Sequence, residues 1–291
     1  MCGHATIALG RFLIDAHDLS IFPRREQLKY DAEREETLLR LHAPCGVVQV
    51  RVPTLGSGQD ARSDGTRRVS FKSVASFVSA IDVKVDIPES LQWTELKKAG
   101  RSFVTVDVSF GGAYYAIVSA EELGFERGIR AYPLSELSQA TAVVKSLLRA
   151  RKALFEHPSE EDLEYLYGVI IVEKLAQRKE LGACFFADQQ MDRSPCGSGV
   201  CACVALDLAK GNLGMGEEVV FESVVSMMMG QKGGFAGTAV ERVVCGLSGR
   251  VWPGCVVRVQ GRAFYTGAHV FVAEAAEDEL ADGFLPTTTP S

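Results

Sequence analysis

Two stretches of this chain carry residue types suited to moving protons. The first is Asp192-Arg193-Ser194-Pro195-Cys196-Gly197-Ser198-Gly199-Val200. Pro195 fits the entrance of a helix, and Gly197 and Gly199 let backbone amides lie bare toward a ligand. Cys201, Ala202, Cys203, Val204, Ala205, Leu206, Leu208 and Ala209 then form an almost wholly apolar run, the pattern of a helix buried on all sides. The Cys196 thiol is therefore expected at the positive end of that helix, where its pKa falls from about 8.5 toward neutrality. The same arrangement opens the chain in Cys2-Gly3-His4-Ala5-Thr6-Ile7-Ala8-Leu9-Gly10. Two Cys-Gly-polar turns, each opening a buried helix, predict two thiols facing one pocket and sharing acid–base work.

The elements that must hold these turns can be read in outline. Residues 3–16 predict a helix that is interior on most faces. Residues 36–52 predict two strands turning at Pro44 to Gly46, residues 55–68 a surface loop, and residues 69–85 a further strand pair. The polar segment 88–101 reads as a short helix or inserted loop. Strands are expected at 104–110 and 113–118, broken by Gly111-Gly112. Apolar residues at helical spacing over 134–155 predict an outer-layer helix. Strands at 167–173 and 182–187 lead into the central helix at 197–209. Further strands are expected at 218–225, 236–246, 251–260 and 262–274, with a flexible Met-rich loop over 227–234.

Composition narrows the classes. Lys plus Arg number 31 against 37 Asp plus Glu, a formal charge of −6, and no basic stretch stands out. That argues against nucleic acid or an anionic membrane as partner. No apolar run reaches the roughly 20 residues of a bilayer span, and no signal peptide opens the chain, so a cytoplasmic protein is expected. Of the eight cysteines, Cys45, Cys184, Cys201, Cys203, Cys245 and Cys255 sit in apolar surroundings and read as core fillers. The spacing Cys196-x4-Cys201-x-Cys203 lacks the convergent ligand set of a zinc site, so no metal is expected.

Four features together resemble the proline racemase family, which includes hydroxyproline epimerases and trans-3-hydroxy-L-proline dehydratases. They are Met1-Cys2-Gly3-His4, Val106-Asp107-Val108-Ser109-Phe110-Gly111-Gly112, Asp192-Arg193-Ser194-Pro195-Cys196-Gly197-Ser198-Gly199 and Asp282-Gly283-Phe284. The resemblance implies an α+β, two-lobed fold like that of diaminopimelate epimerase, each lobe a curved sheet around a central helix, with the site in the cleft between lobes. It places residues 1–102 with 266–291 in a first lobe and 103–265 in the second. Family members carry a long segment ahead of Met-Cys-Gly-His. The first lobe is therefore expected to be incomplete here, and Met1 to fall on an internal Met of relatives. The stretches 88–101 and 226–235 look like insertions. The family uses no pyridoxal phosphate and no metal, so no cofactor is expected. The implied partner is a small imino acid, proline or a hydroxyproline, with a homodimer as the allowed assembly.

Carried onto this sequence, the resemblance makes Cys2 and Cys196 the two bases that act on opposite faces of the α-carbon. The amides of Gly3, His4, Gly197 and Ser198 would hold the substrate carboxylate and the charge that develops on it. Asp192 would accept from the ring ammonium, and Phe186 would pack on the pyrrolidine ring. Each role has a plainer alternative: Asp192 as a turn or N-cap residue, His4 as a packing residue whose amide alone acts, and Phe186 as a core ring. Two reactions fit. In the dehydratase branch of the family, Thr replaces the second Cys. The surroundings Gly3-His4-Ala5, Ala8 to Phe12 and Tyr265-Thr266-Gly267 are similar to that branch, whereas Cys at 196 favours the racemase and epimerase branch.

Overall fold

The computed structural model describes residues 2–247 and 250–270. Helix α1 (Gly3–Asp15) leads into strands β1 (Lys29–Asp31), β2 (Glu36–Ala43), β3 (Gly46–Leu55), β4 (Arg62–Ser63) and β5 (Val69–Asp86). Next come α2 (Thr94–Lys98), β6 (Phe103–Phe110), β7 (Tyr114–Ser119), α3 (Leu134–Arg149), β8 (Leu166–Ala176), β9 (Lys179–Phe186) and β10 (Gln190–Met191). The chain continues through α4 (Gly197–Ala209), β11 (Glu218–Ser223), α5 (Val224–Met228), β12 (Phe235–Leu247) and β13 (Arg250–Gly261). Among the described residues no helix is long and apolar enough to cross a membrane.

Eight strands close on themselves. The order runs β5-β13-β12-β11-β9-β8-β7-β6, and β6 pairs back with β5. A closed ring leaves no unpaired edge among its members. Two of its pairs are parallel, β7 with β8 and β9 with β11. Parallel neighbours cannot be joined by a hairpin and need a crossover. Helix α3 supplies the first crossover and α4 the second. The difference in sequence decides where each goes. Helix α3 buries one stripe (Leu137, Ala140, Thr141, Val144, Lys145 and Leu148), whereas α4 is buried without a break from Gly197 to Leu206. Its small side chains let strands approach closely. A Cβ on Gly111, in the β6–β7 turn, would lie 2.1 Å from the Ser198 carbonyl oxygen and 2.5 Å from the Ala202 nitrogen. That contact is the reason for glycine at that turn.

From β5 the sheet continues outward through β3, β2 and β1. Helix α1 lies against β2, β3, β4 and β5. It buries Gly3, Thr6, Ile7, Gly10 and Ile14, while Leu9 and Phe12 stay 44% and 41% exposed. One stripe is thus covered, where the sequence predicts burial on most faces.

Three other expectations change. Residues 69–85 form one long strand rather than a pair. Its first half joins β13 and β3 and its second half joins β6. Register shifts between Val78 and Val83, and a positive φ of 55° at Asp82, let it bend instead of turning back. Residues 262–270 form no strand. Their polar groups are engaged by α1 instead: Arg11 donates to the Ala263 carbonyl and stacks over Tyr265, whose hydroxyl donates to Asp15 Oδ2 at 2.7 Å. Residues 271–274, the Asp282-Gly283-Phe284 motif and the rest of the expected lobe-one tail lie outside the described residues, as does Met1. Part of the Met-rich segment is the short helix α5, because Ser223 and Ser226 cap it reciprocally. Segment 88–101 packs through Trp93 and Leu96, both buried, and Trp93 Nε1 donates to the Leu123 carbonyl at 2.8 Å.

Candidate active site

The two Cys-Gly turns meet. Cys2 is the N-cap of α1 and Cys196 the N-cap of α4. A Cβ on Gly3 would lie 2.6 Å from Gly197 Cα, and a Cβ on Gly197 would lie 2.6 Å from Gly3 Cα. The helix N-termini therefore touch backbone to backbone, and the four expected amides, those of Gly3, His4, Gly197 and Ser198, converge in one place. Orphan amides at two helix starts, each with its partial positive charge, suit a carboxylate.

The thiols differ in setting. Cys2 is exposed, and its carbonyl accepts from the Thr6 amide and hydroxyl, both at 2.9 Å. Cys196 is 5% exposed and has φ 62°, ψ 96°, an unusual backbone for a residue with a side chain. Such strain costs on the order of 1–3 kcal/mol and persists only where surrounding contacts fix it. Those contacts are visible in the loop before it. Asp192 N donates to the Cys184 carbonyl at 2.9 Å, and Asp192 Oδ1 accepts from the Ser194 amide and hydroxyl at 2.8 and 3.0 Å. Ser194 Oγ in turn accepts from the Cys196 amide at 3.2 Å, and Ser223 Oγ donates to the Arg193 carbonyl at 2.7 Å. One oxygen of Asp192 thus does the turn work of its plainer reading. Its Oδ2 has no hydrogen bond among the described residues.

Around the Cys196 sulfur stand three donors. The Cys184 thiol lowers its pKa most, and the Tyr115 hydroxyl and the Gly199 amide act in the same direction, while burial and the Asp192 carboxylate oppose them. The net direction is down, as a thiol that ionises near neutrality requires. Cys184 moves the opposite way, well above its ordinary value, because it gives its proton to Cys196 and is itself buried. Cys201 and Cys203, deep in the ring, are raised chiefly by burial.

Phe186 sits half-buried at the end of β9 and stacks on Tyr167, centroids 5.5 Å apart and planes 8° apart. Tyr167 meets Tyr115 edge-on at 5.7 Å. The His4 ring is exposed and edge-on to Phe235 at 6.1 Å, so packing occupies the ring while the amide belongs to the helix end.

Two residues of this site are missing from the sequence reading. Tyr115 is fully buried, 3.3 Å from Cys196 Sγ and 2.7 Å from Ser198 Oγ. A tyrosine inside the apolar strand 113–118 was the available signal, since a buried hydroxyl needs a partner. Cys184, read as a core filler, is buried as expected but lies against the Cys196 sulfur. Among the other expected fillers, Cys201, Cys203 and Cys255 are buried, and Cys45 and Cys245 only partly so.

The chain matches the family model described as proline racemase over residues 1–285. It is 37% identical over 288 residues to the trans-L-3-hydroxyproline dehydratase of Bos taurus and 38% identical over 288 residues to the trans-3-hydroxy-L-proline dehydratase of Homo sapiens. Each alignment covers 98% of this chain and 71% of the relative. In fold it is similar to a probable proline racemase from Agrobacterium radiobacter K84 with bound carbonate, at TM-score 0.71 and 23% identity, covering 98% of this chain and 71% of that one. A hydroxyproline epimerase from Agrobacterium vitis with bound trans-4-hydroxy-L-proline is similar at TM-score 0.69 and 20% identity, over 96% of this chain and 68% of that one.

Proposed function

Because the chain belongs to the proline racemase family, an enzymatic one, we propose that it inverts the α-carbon of proline or a hydroxyproline by a two-thiol, two-base mechanism. The observation that carries this reading is the meeting of two Cys-capped helix ends at Gly3 and Gly197. The substrate carboxylate sits on the converged amides, which also take up the charge that grows as the α-proton leaves. Asp192 Oδ2 accepts from the ring ammonium, and the Phe186–Tyr167 pair forms an apolar wall for the ring. One cysteine, as thiolate, removes the α-proton. The other, as thiol, returns a proton to the opposite face, and the two exchange roles for the reverse reaction. The lowered Cys196 thiol is matched to such alternation. No cofactor enters the scheme.

A second reading is supported by the names of the relatives at 37–38% identity: dehydration of trans-3-hydroxy-L-proline, with one base at C2 and departure of the 3-hydroxyl. Cys at 196, where the resemblance places Thr in dehydratases, favours inversion. The test is chiral product analysis of the protein given L-proline, trans-4-hydroxy-L-proline and trans-3-hydroxy-L-proline in deuterated water. Inversion with one solvent deuteron at the α-carbon is the expected result. Loss of water from the 3-hydroxy substrate without inversion of any of the three would hand the function to the lyase reading. The Cys196→Thr variant should lose inversion and gain dehydration.

A further inference from the structure

The Tyr115 hydroxyl lies between two groups that can each give or take a hydrogen bond. Tyr114 and Tyr115 are consecutive on β7 and so point to opposite faces of the ring wall. Tyr114 faces outward and gives its hydroxyl proton to the Glu156 carbonyl. Tyr115 faces inward onto the first turn of α4, with no exposure, and among the described residues its hydrogen-bond partners are Cys196 Sγ at 3.3 Å and Ser198 Oγ at 2.7 Å. A phenol has one proton, so it can donate to only one of the two.

We propose that Tyr115 is a positioning residue for Cys196, whose hydroxyl, together with Ser198, reverses the direction of its hydrogen bonds as the sulfur gains or loses a proton. With Cys196 as thiolate, Ser198 Oγ–H donates to Tyr115 Oη and Tyr115 Oη–H donates to the sulfur. With Cys196 as thiol, S–H donates to Tyr115 Oη and Tyr115 Oη–H donates to Ser198 Oγ. Cys196 Sγ and Tyr115 Oη each keep a partner in both states, and no proton crosses between heavy atoms in the switch; the hydroxyl groups only rotate. A sulfur that must act as base in one direction and acid in the other needs both states satisfied, because an unpaired buried polar group is costly. The inference rests on the reading of Cys196 as a reacting thiol.

The bias between states is toward the thiolate, since hydrogen bonds to a charged acceptor are roughly twice as strong as neutral ones. Other groups face the same sulfur from the packed elements: Cys184 on β9, Asp192 in the preceding loop, Cys201 and Cys203 on α4 and Tyr167 on β8, with Cys2 at the start of α1 facing Tyr167. Tyr115 keeps its own proton, as burial and the neighbouring thiols raise it well above the ordinary phenol. It therefore donates to the thiolate rather than ionising in its place.

The experiment is a pH titration of protein labelled with 13Cβ-cysteine, followed by NMR, with the Cys196 resonance assigned by its loss in Cys196→Ser. In Tyr115→Phe the Cys196 midpoint should rise by about one pH unit, the difference between a charge-assisted and a neutral hydrogen bond. The acid limb of turnover should move by the same amount. A Cys196 midpoint that stays put or falls in a variant that still unfolds cooperatively overturns the proposal. Should Tyr115→Phe not fold, Ser198→Ala carries the test: it removes the acceptor that Tyr115 needs when Cys196 is a thiol and leaves its donation to the thiolate intact, so a fall in the Cys196 midpoint supports the switch and no fall overturns it. Absence of any α-carbon exchange in the unaltered protein would defeat the functional reading instead, and leaves the titration result standing on its own.

Discussion

Consider Gly3→Ala. At the first position of a helix this change would ordinarily be harmless or favourable, since alanine exceeds glycine in helix propensity by about 1 kcal/mol in helix interiors. Here the new methyl meets Gly197 Cα at 2.6 Å, Phe71 Cζ at 3.0 Å and the Gly197 carbonyl carbon at 3.3 Å. Two of those atoms are backbone and cannot swing aside, and the third is the far end of a buried phenyl ring. Ordinary contact begins near 3.4 Å, so the helix ends must separate by about 0.8 Å at least. The two thiols and the four amides ride on those ends and separate with them. A displacement near 1 Å in a reacting constellation costs on the order of 100-fold in rate. The expected result is thus a loss of turnover of about that size, with a cooperative melt and little change in helix content. Gly197→Ala closes the same gap from the other side and should act alike. Because both changes open one seam, the double variant should fall short of the product of the two single losses. Gly3→Ala turning over within a factor of about three of the parent would mean that the seam does not set the thiol separation, and the proximity argument would fail.

Two further outcomes follow from the same geometry. Cys2→Ser and Cys196→Ser should each lose inversion by at least about 100-fold, while one-sided deuterium wash-in at the α-carbon persists in at least one of them. Equal inversion by either variant and parent would remove the paired-thiol assignment. The second outcome concerns Glu180 on β9, which is 9% exposed and lines a cavity of about 660 Å³ beyond the C-terminal end of α4. Burial first, then the nearby Asp207 carboxylate, push its pKa up to about 7 from an ordinary 4.5. The folded state therefore favours the protonated form. Its stability relative to the unfolded chain is intact below pH 4.5, falls as pH rises from there to about 7, and is flat above. The full loss is about 3 kcal/mol. Glu180→Gln should raise the melting temperature by about 5 °C at pH 8 and leave it unchanged at pH 4. A thermal-shift series across pH checks the sign, and equal gains at both ends would refute it.

What the sequence discloses depends on how local the cause is. The helix at 197–209 matches its expected bounds, because an unbroken apolar run after Pro195 and Gly197 has few other readings. The hairpin of β2 and β3 likewise follows from its Pro44–Gly46 turn signals. The strand at 69–86 hides its course: Ser73, Ser76 and Ser79 interrupt the apolar run as turn residues would, yet one strand runs through them and bends between Val78 and Val83, where it leaves β13 and joins β6. The segment after Gly261 alternates like a strand, but Arg11 and Asp15 from the other end of the chain claim its polar groups. The site divides in the same way. Cys2, Cys196 and their glycines announce themselves through the helices they open. Tyr115 and Cys184 reach Cys196 only because β7 and β9 belong to a closed ring around α4, and no local pattern states which interior positions will face the helix start.

The closed ring also bears on how the chain reaches its folded form. Helix α4 runs inside a wall whose last member, β13, pairs with β5: Gly254 opposite Phe77 and Gly261 opposite Val69. Those partners lie far apart in the sequence, so the wall cannot close until the chain up to Gly261 is available. Pairings of such long range form slowly, since the entropy of closing the intervening chain must be overcome before any contact rewards it. Until then the most apolar helix of the protein, with three of its cysteines at Cys196, Cys201 and Cys203, has strands on only part of its circumference. The β13–β5 seam is thus expected to close after the local pairings β5–β6, β6–β7 and β8–β9 have formed. The window before closure is the time at which this chain is most open to aggregation and to thiol oxidation.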